Sequence, residues 1–260
     1  MKWIYNELSM RKLRVCLSLL TSVFVVSALS SCSFADIVWE TEFNDGDVIN
    51  NGTVVTTLAA DVTLNTQVIG NAPPGFGDPS HFIVLNGPQG NETGYLDLNM
   101  NTDENNRNDE LRLTFNFSNA VTNLSFNVLD VDSNSWDDGV EIFFNGTSNL
   151  RDFAAYYTLP NPTSYVELDN EANMHGFEGA GSNSGANEEF GNIAVDFGNL
   201  AINSLEFRYF STDDAPADPG AQFIGFSDFS FVRAVPEPPI WAMIGIVALG
   251  IGLTRRRKNA

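Results

Sequence analysis

Lysine is missing from the whole middle of this chain. Between Asp36 and Val235 there are 31 Asp plus Glu, five Arg and no Lys, a net charge near −26 against −20 for all 260 residues. So negative a surface argues against nucleic-acid binding, in which cationic side chains must displace the phosphate counterions. It suits divalent cations, a saline habitat or solubility inside a matrix, with most of the carboxylates simply solvated. Cysteine is nearly absent too. Cys16 and Cys32 both fall within the first 35 residues, so the remainder has no disulfide to rely on. About 200 residues can bury a core without one.

Histidine is limited to His81 and His175, which excludes a His-rich zinc site. Neither a Gly-x-Ser-x-Gly nucleophile turn nor a phosphate-cradling glycine loop occurs. Paired acids such as Glu188 with Glu189, or Glu40 with Glu42, are the pattern glycoside hydrolysis would use. Adjacent strand residues point to opposite faces, however, and no glycosidase signature surrounds either pair. No catalytic residue and no organic cofactor is therefore expected, and His81 beside Phe82 reads as structural.

Helical periodicity is lacking before Ile240, and alternation takes its place. Leu111, Leu113, Phe115 and Phe117 share one face, with Arg112, Thr114 and Asn116 on the other. Leu124, Phe126 and Val128 repeat the pattern, as do Val140, Ile142 and Phe144, then Leu205, Phe207 and Tyr209. This is the period of half-buried strands. Further strands are expected at Ile37–Phe43, Thr53–Leu58, Phe82–Leu85, Gly94–Leu98, Tyr165–Leu168 and Ile193–Phe197. Ile224 and Phe226 are even-numbered, Phe229 and Phe231 odd, which calls for a bulge at Ser227-Asp228. Residues 170–190 offer little to bury and read as a surface loop. The fold class is all-β: an antiparallel β-sandwich, of jelly-roll type, over residues 36–234.

Two groupings of acids suggest calcium. Asp130, Asp132, Asn134, the Trp136 carbonyl, Asp138 and Glu141 occupy the alternate positions from which a tight loop wraps a hard cation. Ser135 stands where an EF-hand needs glycine, and strands flank the loop, so the expectation is a calcium loop of another kind. Glu40 and Glu42, about 7 Å apart on one face of a first strand, form the second grouping with Asp228 of the last strand. That arrangement resembles the structural calcium shared by first and last strands in jelly-roll carbohydrate-binding modules. Asp97, Asn99, Asn101 and Asp103 are a weaker third. For a sugar, exposed aromatics beside polar loops are wanted, and Trp136, Tyr156 and Tyr157 are the candidates.

The ends carry the address. Lys2, Arg11, Lys12 and Arg14 precede an apolar run, Val15–Leu29, and the small residues Ser33 and Ala35 prepare a cut before Asp36, giving a signal peptide over residues 1–35. Leu29-Ser30-Ser31-Cys32 also resembles a lipobox, in which Cys32 would be lipidated. At the other end Val235-Pro236-Glu237-Pro238 precedes an apolar stretch, Ile240–Leu253, of 14 residues, short of the roughly 20 that cross a bilayer untilted. Arg255, Arg256, Arg257 and Lys258 would stay cytoplasmic. These three parts in order resemble the PEP-CTERM sorting signal of Gram-negative bacteria, here residues 235–260. The resemblance implies a transient inner-membrane anchor, processing by an exosortase, and delivery to the surface or an exopolysaccharide matrix. Three functions remain open: a non-catalytic surface or matrix protein, a calcium-dependent carbohydrate-binding module, and a secreted glycan-active enzyme.

Overall fold

Period-two alternation becomes antiparallel strand over most of the described residues. A computed structural model describes residues 34–146, 155–160, 164–169 and 176–234. Residues 1–33 and the sorting segment, with Val235, Pro236, Glu237, Pro238, Arg255, Arg256 and Arg257, lie outside the described residues. So does His175.

In chain order the elements are β1 (Phe34–Ile37), one helical turn α1 (Trp39–Glu42), β2 (Thr53–Thr56), β3 (Asp61–Ile69), β4 (Phe82–Leu85), β5 (Tyr95–Thr102) and β6 (Glu110–Leu129). There follow β7 (Asp138–Phe144), β8 (Tyr157–Thr158), β9 (Val166–Leu168), β10 (Gly176–Gly179), β11 (Ile193–Asp196), β12 (Ile202–Ser211), β13 (Gly220–Phe226) and β14 (Phe229–Arg233). Every strand pairing is antiparallel.

The long strand β6 organises the rest. Its first half lies between β3 and β12, and its second half between β11 on one side and β13 with β14 on the other. The change of partners falls at Ser118 and Asn119, which are exposed. β7, β10 and β9 extend the first group beyond β12, while β5 and β4 extend the second beyond β13. Rings join the two groups face to face. Phe115 stacks on Phe229 at 4.6 Å, Phe126 meets Phe207 edge-on at 5.4 Å, and Phe207 meets Phe226 at 4.2 Å. Each such pair is worth about 0.5–1.5 kcal/mol beyond the area it buries. The alternating residues named above, from Leu111 to Tyr209, are all buried in this layer.

The expected bulge is present. Between the pairs Phe226↔Val128 and Ser230↔Ser125 the chain takes four steps on one strand against three on its partner. Ile224, Phe226, Phe229 and Phe231 consequently all reach the core.

Three expectations are corrected, and one strand is new. The strand expected at Ile37–Phe43 stops at Ile37 and turns into α1. The turn lets Trp39 bury completely, with its indole N–H donating to Ser227 O at 2.8 Å and its backbone N–H to Asp228 Oδ1 at 3.0 Å. Leu111–Phe117 and Leu124–Val128 are one continuous strand rather than two. β3 lacked a clear alternating signal because only Val62 and Leu64 of its nine residues are buried. Finally, the surface loop expected at 170–190 contains β10, all four of whose residues are buried. Gly176 and Gly179 are required there, since a Cβ would collide with the carbonyls of Val140 and Asp132.

Candidate ligand cavity and metal centre

The loop from Asp130 to Asp137 closes on itself through backbone bonds. Asn134 N–H donates to Trp136 O at 2.9 Å, and Asp138 N–H to Asp132 O at 3.1 Å. This fold-back gives the acids that spacing had grouped around one ion separate hydrogen-bond partners. Asp132 Oδ1 accepts the Trp136 indole N–H at 3.0 Å, and its Oδ2 accepts Ser184 N–H at 2.5 Å. Asp138 Oδ1 accepts the Tyr209 hydroxyl at 2.6 Å in the core. Glu141 is held by both Arg107 amino groups, at 2.9 and 2.5 Å, and Asn134 is exposed. Asp130, Asp132, Asn134, Asp138 and Glu141 thus do not form one ligand set. Burial is the main cause that raises the carboxyls of Asp130 to about 8 and Asp132 to about 6. Asp138 is raised well above its ordinary value by burial first, then by Asp132.

The second calcium grouping also changes. Glu40 and Glu42 sit on the helical turn, exposed, and share no strand face. Asp228 is committed to Trp39 N–H, and burial first, then the charges of Glu40, Glu92 and Asp36, lift it to about 6. In the third grouping Asp97 is 2% exposed and accepts from Asn99 Nδ2 at 2.5 Å, with burial raising its carboxyl to about 7.

Beside the Asp130 loop lies a cavity of about 240 Å³. Three rings line it: Trp136, Phe223 and Phe76, the last 62% exposed and set edge-on to Phe223 at 5.6 Å. Its polar lining is unusual. Gln222 is 1% exposed with neither amide atom hydrogen-bonded, and Asp130 Oδ1 and Ser184 Oγ are likewise buried without a partner. Each such group costs about 1–3 kcal/mol unless water or a ligand satisfies it. Of the sequence candidates for stacking, Trp136 belongs to this cavity and the tyrosines do not. Tyr156 packs on Phe144 and Phe197 at 5.9 and 5.3 Å, and Tyr157 on Phe177 at 4.8 Å, capping the core. Nothing in the sequence marked Gln222, since a glutamine on an alternating strand reads as solvent-facing.

A different set of acids does converge. Oxygens of Asp137, Glu178 and Asp214 all lie within 4.8 Å of one another, the one such three-acid group among the described residues. Strand register explains the meeting. β7 runs between β10 and β12, with Glu178 opposite Gly139 and Ser211 opposite Asp138. The start of β7, the middle of β10 and the turn after β12 therefore share one corner. Thr212 fixes Asp137 there, its hydroxyl donating to Oδ2 at 2.7 Å and its N–H to the Asp137 carbonyl at 3.1 Å. Burial raises the Asp137 carboxyl to about 7, and burial followed by the charge of Asp169 raises Glu178 to about 8. Sequence reading missed this set because Glu178 fell within an expected loop.

No family model matches the chain, and no curated protein does. Among solved structures it is similar to a carbohydrate-binding module, TmCBM27, described for specific mannan recognition: 13% identity, 65% of this chain, 89% of that one, TM-score 0.30. It is also similar to the K1 cleaved adhesin domain of Lys-gingipain from Porphyromonas gingivalis W83, at 13% identity, 66% and 99% coverage, TM-score 0.29. The adhesin domain of PrgB from Enterococcus faecalis gives 13% identity, 72% and 68% coverage, TM-score 0.32. Likeness this distant carries no functional argument, which rests on the side chains.

Proposed function

We propose that this chain is an exported, non-catalytic surface or matrix protein whose β-domain, a sandwich of jelly-roll type, holds a glycan in the Trp136 cavity. One observation carries the reading: Gln222, Asp130 and Ser184, each with a buried polar atom that has no hydrogen-bond partner, are among the residues lining a cavity that three aromatic rings also line. A sugar matches that lining, since its C–H faces pack on rings while its hydroxyls satisfy donors and acceptors of both kinds. The negative surface favours a neutral glycan over an anionic one. Export follows from the signal peptide over residues 1–35, and sorting from the PEP-CTERM resemblance at residues 235–260. An exosortase is the processing partner, and exopolysaccharide is the medium in which the mature protein works.

A glycan microarray of the purified chain, run with calcium and with EDTA, tests the reading. Selective binding is expected, reduced at least tenfold by Trp136→Ala with the fold intact by circular dichroism. Absence of binding from a folded sample, or binding indifferent to Trp136→Ala, would overturn the cavity as the glycan site. The first of those outcomes would leave a purely structural matrix role.

A further inference from the structure

We propose that Asp137, Glu178 and Asp214 form a divalent-cation site, selective for Ca²⁺ and filled from the medium, that staples the loop before β7, strand β10 and the turn after β12. This site is independent of the glycan reading and distinct from both acid groupings that sequence spacing suggested.

Geometry is the first support. Ca²⁺ bonds oxygen at about 2.3–2.6 Å, so two ligands on opposite sides of the ion are about 5 Å apart. The three oxygens, mutually within 4.8 Å, are close enough to share one such ion. Mg²⁺ demands near-ideal octahedral order and dehydrates reluctantly, which suits three carboxylates brought from separate elements less well.

The second support is a buried oxygen without a well-formed hydrogen bond. Asp137 is 5% exposed, and Thr212 takes its Oδ2, while the buried Oδ1 has only the Gly179 N–H beside it, outside good hydrogen-bond geometry. Glu178 beside it is 7% exposed. A buried carboxyl group is stable when it is protonated, paired or coordinated to a metal, and a metal is what keeps it ionised without a cationic partner. No arginine does that pairing among the described residues: Arg107 is engaged by Glu141, Arg112 by Glu110, Arg208 by Glu206, and Arg233 by Asn119. The charges of Asp169 and Glu167 add to the negative potential felt at Glu178. A doubly positive ion is the compact remedy for such a corner.

Exposed Asp214 gives the ion a route in, and water completes its shell. An open, partly hydrated site with three carboxylates belongs with the weaker extracellular calcium sites, with Kd of about 0.1–1 mM. The staple also steadies one wall of the cavity, because β10 leads directly into Ser182 and Ser184, both hydrogen-bonded to the Asp130 loop.

The test is calcium titration of the EDTA-treated full chain, read by calorimetry and by thermal unfolding. One ion per chain is expected, with Tm rising by about 5–10 °C at a hundredfold excess over Kd. Glu178→Gln should lower the affinity at least tenfold. Asp214→Asn, on an exposed residue, should do the same. Binding of calcium undiminished in both variants would put the ion elsewhere and overturn the proposal. So would the absence of any calorimetric signal up to about 10 mM Ca²⁺ in a folded sample. Magnesium binding as tight as calcium would overturn the assigned selectivity.

Discussion

Replacing Gln222 by Leu should make this protein more stable and less able to bind. Gln222 lies on β13 at 1% exposure, and neither its amide nitrogen nor its amide oxygen has a protein partner. Its neighbours in the strand, Ala221 and Phe223, line the same cavity. Removing a buried, unsatisfied amide and substituting an apolar side chain of similar size recovers about 1–3 kcal/mol. For a domain of this size each kcal/mol moves Tm by about 2–4 °C, so the variant should melt roughly 2–10 °C higher. Urea unfolding followed by tryptophan fluorescence measures the change, and glycan binding by calorimetry measures the cost to function. Destabilisation by more than about 1 kcal/mol would refute the reasoning, because it would mean that the amide is satisfied in the free protein. A stabilised variant that binds as well as the parent would keep the stability argument and remove Gln222 from recognition.

Two further predictions concern the rest of the domain. Burial raises Asp97 to about 7 from 3.8. A group whose folded pKa is raised binds its proton more tightly when folded, so its stabilisation is complete below pH 4 and is lost as pH rises through 7. In EDTA the chain should therefore melt higher at pH 5 than at pH 8, and Asp97→Asn should flatten that slope; an unchanged slope would exclude Asp97 as its source. At the N-terminal edge, Phe34 and Ala35 supply two of the four pairs between β1 and β14. A chain starting at Asp36 should consequently melt several degrees below one starting at Cys32, and equal melting temperatures would show that those two pairs contribute nothing.

The strand content of this protein is legible from sequence because alternation is a local property. Leu111 to Phe117 declares its buried face within seven residues, whatever packs against it, and the shift from Phe226 to Phe229 declares its bulge in the same way. Acidity, the missing lysine and the few histidines are equally independent of folding, and they bound the chemistry before any contact is known. Trp136 could be nominated because an aromatic ring in an acidic loop is conspicuous.

The sites are a different matter. Spacing placed Asp130, Asp132, Asp138 and Glu141 around one ion, but spacing does not say which way a loop folds back. Backbone bonds inside the loop sent Asp132 to Ser184, Asp138 to Tyr209 and Glu141 to Arg107. Glu40 and Glu42 lost their common face because burying Trp39 required a helical turn. Asp137, Glu178 and Asp214 are far apart in the chain, and they meet only because β7 pairs with β10 on one side and β12 on the other. Alternation records which face of a strand is buried; only the register between strands decides which buried or half-buried groups become neighbours. That register is set by the summed packing of the aromatic layer, a property of the assembled sheet that no single stretch of residues contains.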